Sequence, residues 1–131
     1  MTSVRVDVVV VTCAISAGIH GALAPEHFDE GTGAGVGFVA ATVLLAGLAV
    51  ALTYRPTSRV ALGSAVLVFA GLIGSYALVV ATGLPVLHPE AEPVDALALF
   101  TKAIEAVGLA AASTLVWRRP ALATTLQPKG T

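Results

Sequence analysis

The chain has 131 residues; 56% are hydrophobic types, only 11% are charged, and the formal net charge is −1. A soluble protein averages roughly 25% charged residues, so 7 basic and 8 acidic side chains supply too little polar surface for a water-exposed fold. A soluble enzyme and a disordered tail are therefore excluded, and the missing positive charge excludes nucleic acid as a partner.

Four apolar stretches follow in chain order. Residues 8–25, 31–54 and 60–87 contain no Asp, Glu, Lys or Arg, and residues 96–117 contain only Lys102 and Glu105. Crossing the roughly 30 Å hydrocarbon core takes about 20 apolar residues in a helix. Spans are expected near residues 5–24, 32–54, 60–83 and 94–117. None alternates with period two, so helices rather than a barrel satisfy the backbone in lipid. The expected fold is an all-α membrane protein, with four transmembrane helices in an up-down-up-down bundle.

The connections carry matching signals. Pro25 is expected to end the first helix at Ala24, because the residue before proline is pushed out of the α region. Arg55-Pro56-Thr57-Ser58-Arg59 reads as a short turn, with Ser58 as N-cap of the third helix. Gly83, Leu84 and Pro85 stop that helix, and Pro89 and Pro93 hold the next connection extended. Residues 120–131 form a short polar tail.

Charge sets the expected orientation. Arg5, Arg55, Arg59, Arg118, Arg119 and Lys129 all fall at one end of the bundle. Glu26, Asp29 and Glu30, then Glu90, Glu92 and Asp95, fall in the two opposite connections, which hold no Lys or Arg. The positive-inside rule places both termini and the Arg55–Arg59 turn in the cytoplasm of a plasma membrane of the bacterial inner-membrane type. Arg5, the valine-rich run and Ala22-Leu23-Ala24 also resemble a signal peptide with its cleavage site. Asp7 beside the apolar run and the near-spanning length argue against that reading.

Several features carry no chemistry. Small residues recur every four positions at Ala14/Gly18/Ala22, Gly33/Gly37/Ala41, Ala70/Gly74 and Gly108/Ala112, a spacing that lets helices approach closely within the bundle or in a homo-oligomer. The glycine-rich run 31–37 fits neither G-x-G-x-x-G nor a Walker A spacing and is read as part of an acidic loop. Cys13 is the only cysteine, so no disulfide or cysteine metal pair is available. Trp117 beside Arg118 suits a membrane boundary. No nucleophile constellation is evident, so an enzyme is disfavoured.

Polar residues gather towards the acidic end. Asp95, Lys102 and Glu105 fall within roughly 80° on one helix face, with Lys102 roughly 10 Å and Glu105 roughly 15 Å inward; His20 lies about 7 Å inward on the first helix. Ionisable groups at such depth face the bundle interior. Three readings result. Lys102 and Glu105 form an intramembrane ion pair in a non-enzymatic accessory subunit, whose acidic, histidine-bearing rim meets a partner protein. Alternatively the chain handles a metal, with zinc, copper or iron held by His20, Glu26, His27, Glu92, Asp95 and Glu105, and with Glu30, His88 and Glu90 nearby. A third reading makes Glu105 part of a proton or ion path in an oligomer. Haem is disfavoured, because only His20 is clearly helical.

The segment His20-Gly-Ala-Leu-Ala-Pro-Glu-His-Phe28, with Gly83-Leu-Pro85, Glu92-Pro-Val-Asp95 and Glu105, resembles a set of small four-helix membrane proteins of actinobacteria. The resemblance spans most of the chain. It implies a plasma-membrane protein of no assigned activity, and it singles out His20, Glu26, His27, Glu92, Asp95 and Glu105. The sidedness is testable directly. A cysteine introduced at Glu30 should react with an impermeant thiol reagent only from outside the cell, and one at Arg59 only after permeabilisation; the reverse pattern would overturn the orientation.

Overall fold

The computed structural model describes residues 2–82 and 94–118. These form four helices: α1 (Thr2–Glu30), α2 (Thr32–Tyr54), α3 (Arg59–Thr82) and α4 (Ala96–Trp117). All four are long and apolar enough to cross a membrane, and no strand occurs among the described residues. The expected stop at Gly83–Pro85 and the tail at 120–131 lie outside them.

The expected end of α1 at Ala24 is wrong. The helix runs through Pro25 to Glu30, so Pro25 costs one backbone hydrogen bond, the one its missing N–H would have donated to Gly21. Continuing the helix satisfies the following N–H groups, and His27 adds a ring hydrogen bond to the Leu23 carbonyl, 2.9 Å. The extension puts His27 two turns beyond His20 on one face, where the sequence suggested a loop. Only Gly31 separates α1 from α2. From Thr32 on, the glycine-rich run belongs to α2 rather than to a loop, as the expected span 32–54 has it, and Gly35 packs directly beneath the Phe28 ring, which leaves no room for a Cβ.

The remaining boundaries have clear local causes. Ser58 caps α3, its Oγ accepting from Ala61 N at 3.2 Å. Asp95 caps α4, accepting from Ala98 N at 2.7 Å, which starts that helix after Val94 rather than at it.

Neighbouring helices run antiparallel. His27 and His20 of α1 meet Phe38 of α2, Ser16 meets Glu105 of α4, and Lys102 of α4 reaches Leu72 of α3. The α1–α2 pair packs most extensively and α2–α3 least. The polarity of the bundle is inverted relative to a soluble one. Thr12, Ser16, His20, His27, Thr101 and Glu105 are buried, while Val4, Val11, Ile15, Val43 and Leu67 are exposed. Large apolar side chains on the outside and polar ones within suit lipid as solvent.

Of the small-residue stripes, Gly108/Ala112 packs inside the bundle and Ala14/Gly18/Ala22 faces outward. At Gly108 an added Cβ would sit 2.6 Å from the Phe69 ring and from Thr12 Oγ1. Three helices converge on this glycine. Gly108→Val should therefore destabilise the bundle by about 1–3 kcal/mol through overpacking, measured as resistance to denaturation in mixed micelles. Gly47→Val, where a Cβ meets nothing, should leave stability nearly unchanged.

Candidate functional site

The site is built on the inward face of α1. Thr12, Ser16 and His20 recur every four residues, with His27 seven further on, so all four point into the bundle. α4 presents Lys102 and Glu105 opposite, three residues apart and thus on one face.

Glu105 is 0% exposed. Lys102 Nζ donates to its Oε2 at 2.5 Å, and Ser16 Oγ donates to Oε1 at 2.8 Å. Lys102 also reaches the Leu72 carbonyl at 3.5 Å and lies 5.5 Å from the Tyr76 ring centroid. A carboxylate without water is stable only when its charge and lone pairs are met in this way. The ion pair is local, within one turn of α4, but its completion by Ser16 ties α4 to α1.

His20 sits beside this network with 6% of its surface exposed. Its Nδ1 lies 2.9 Å from the Ser16 carbonyl and 3.3 Å from Ser16 Oγ. A carbonyl can only accept, so Nδ1 carries the proton and donates. That leaves Nε2 facing Glu105 Oε1 at 3.8 Å, beyond hydrogen-bond reach. His27 repeats the arrangement one level out. Its Nδ1 donates to Leu23, and its Nε2 lies 3.9 Å from Glu30 Oε2. Phe38 of α2 links the two levels, stacked on His27 at 3.6 Å between ring centroids and tilted against His20 at 5.1 Å.

Above the network lies a cavity of about 420 Å³ that all four helices line. His20 and Lys102 form its floor, Phe38 and Tyr76 contribute aromatic walls, and Glu26, Glu30 and Asp95 stand at its acidic end. Most of the remaining wall is apolar, the usual character of a ligand pocket with a few convergent polar groups.

Of the proposed ligand set, the structure brings His20, Glu26, His27 and Asp95 to this cavity and buries Glu105 behind it. Glu92, with His88 and Glu90, lies outside the described residues. Among the described residues no three His, Cys, Asp or Glu side chains group as metal ligands. Ser16, Thr101, Phe38 and Tyr76 join the site without having been among the residues expected from the sequence. Ser16 was discoverable, since it lies one turn before His20 on the same face; the two aromatics, on other helices, carried no such mark.

Ser16, His20 and Glu105 also bring a hydroxyl, an imidazole and a carboxylate together, but not as a nucleophile. Ser16 gives its proton to Glu105, and His20 donates to the Ser16 backbone instead of accepting from its hydroxyl. The imidazole does not draw on the Ser16 proton as it would in a nucleophile arrangement, and Ser16 is 0% exposed. Comparison with protein-family models, with curated proteins and with solved structures found no match.

Removing one partner of the buried pair separates its charge from its packing. Glu105→Ala should cost about 3 kcal/mol, the lower end of the range for breaking a buried pair, because Lys102 is left without its counter-charge but keeps 17% of its side chain exposed. Glu105→Leu combined with Lys102→Met should recover most of that loss in the same denaturation measurement.

Proposed function

We propose that this chain is a multi-pass plasma-membrane protein with cytoplasmic termini, acting as a non-enzymatic binding subunit whose cavity opens to the outer side. The observation that carries this reading is the cavity itself, walled by four helices and floored by His20 and Lys102 over buried Glu105. Ionisable groups inside a membrane bundle are costly, so their presence marks a working site. Here they stand at the base of a space large enough for a small molecule. The acidic rim then has a role as the approach to that space, and a partner protein docking on the rim would control access to it.

The sequence-level alternatives draw less support. A metal centre would need three donors in reach of one ion, and the described donors are spread along the cavity wall. A proton path would need polar groups continuing past Glu105 towards the cytoplasm. Below it the described buried residues are apolar Val6, Val9, Cys13, Leu45, Leu52 and Leu62 together with Thr12, whose hydroxyl is spent on the Val8 and Val9 carbonyls, and none of these is an ionisable carboxylate or imidazole that would carry a proton onward.

Solvent access from outside is the test. Ser75 lines the cavity, and its cysteine variant keeps the side-chain size. Because Cys13 is fully buried, it contributes little background. In sealed cells Ser75→Cys should react with a polar, uncharged, impermeant thiol reagent added outside. Reaction only from the cytoplasmic side, or none in unfolding-controlled samples, would remove the outward-facing binding reading.

A further inference from the structure

A second feature adjoins the cavity. Between α2 and α3, the least extensively packed neighbouring pair, runs a groove of about 270 Å³ lined by Gly37, Ala40, Ala41 and Leu44 on one side and Leu67, Val68, Gly71 and Leu72 on the other. It contains no ionisable side chain. Gly37, Ala41 and Leu72 wall both the groove and the cavity, so the two spaces adjoin. The groove leads away from the acidic end, and its outer edges, Leu44 at 54% and Leu67 at 74% exposed, face the surface that the binding reading gives to lipid. A Cβ added at Gly71 would meet nothing within 4 Å, so space lies in front of that residue.

We infer that the cavity and groove together bind a single-chain amphiphile with a protonated amine head, its head in the cavity and its tail in the α2–α3 groove. This deepens the binding reading and rests on it. The head-to-tail sense matches a molecule seated in the outer leaflet, polar end outward and hydrocarbon towards the midplane.

Two observations select the head. Glu26 and Asp95 line the cavity's acidic end, while the one lysine there, Lys102, has its charge met by Glu105. The balance favours a cation and opposes a carboxylate or phosphate. His20 is more than nine-tenths buried and lines the cavity; with Nδ1–H committed to Ser16, its Nε2, 3.8 Å from Glu105 Oε1, is an acceptor that no hydrogen-bond donor meets. An ammonium N–H supplies that donor; an ether, ketone or ester head does not.

The experiment uses the Ser75→Cys protein in liposomes and measures protection from the thiol reagent by dodecylammonium, dodecanol or dodecanoate at equal membrane-bound amounts. Dodecylammonium should protect at about tenfold lower membrane concentration than dodecanol, the difference expected for a head whose charge complements the cavity's carboxylates. Dodecanoate should not protect. Gly71→Phe, which fills the groove, should abolish protection, whereas Gly47→Phe, at an equally open glycine elsewhere on α2, should retain it. Glu26→Gln with Asp95→Asn, where asparagine still caps α4, should erase the preference for the amine. Equal protection by dodecanol would overturn the amine assignment, as would stronger protection by dodecanoate. Protection surviving Gly71→Phe would overturn the tail site. A cysteine that reacts but is protected by none of the three would overturn the amphiphile while leaving the open cavity intact; a cysteine that never reacts would instead remove the binding reading itself.

Discussion

Everything in the interior answers to one carboxylate. Glu105 has no contact with solvent, and an ionised carboxylate in such a setting costs many kcal/mol unless it is paired and hydrogen-bonded. Lys102, one turn earlier on α4, meets the charge; Ser16 meets a lone pair and so fixes the register of α1 against α4. Ser16 in turn offers its carbonyl and hydroxyl to His20, which sets the ring's tautomer and aims Nε2. A chain of donors running from one helix to another thus determines where the bottom of the cavity lies.

The cavity follows from uneven packing around that anchor. Towards the basic end, small and medium residues close the bundle: Ala61, Ala65, Ala112 and Gly108 admit Phe69, Leu45 and Leu52. Towards the acidic end the facing residues are rings and long polar chains, which cannot fill the space between four helices. α1 is stretched past Pro25 there, carrying His27 onto Phe38 and giving the cavity a second histidine level. Proline inside a helix is ordinarily a loss. Here the extension places Glu26 and Glu30 at the mouth instead of in a loose connection.

The same geometry limits the chemistry. Hydroxyl, imidazole and carboxylate meet within a few ångströms, yet the protons point the wrong way for nucleophilic catalysis. What remains is a set of fixed donors and acceptors, walled by apolar side chains and bordered by a groove between α2 and α3. On the proposed binding reading, such a site would select by charge and shape.

Composition alone determined the class of molecule: four helices long and apolar enough to cross a bilayer, with Arg55 and Arg59 in the turn at one end and Glu26, Asp29, Glu30 and Asp95 at the other. Local chemistry in the chain also determined the Ser58 cap and the Lys102–Glu105 spacing, because both act within a single turn of helix. The fate of Pro25 was not local. A proline signal describes the cost of continuing a helix, and only the packing of Phe28 and His27 against α2 decided that the cost was met. Nor did spacing distinguish Gly108, which three helices share, from Gly18, which faces outward, since both belong to identical four-residue patterns. Ser16 bonding to Glu105, Phe38 between two histidines, and the cavity with its adjoining groove all join residues tens of positions apart on different helices. Those belong to the tertiary structure, because a helix period records which residues share a face and nothing of which face lies opposite.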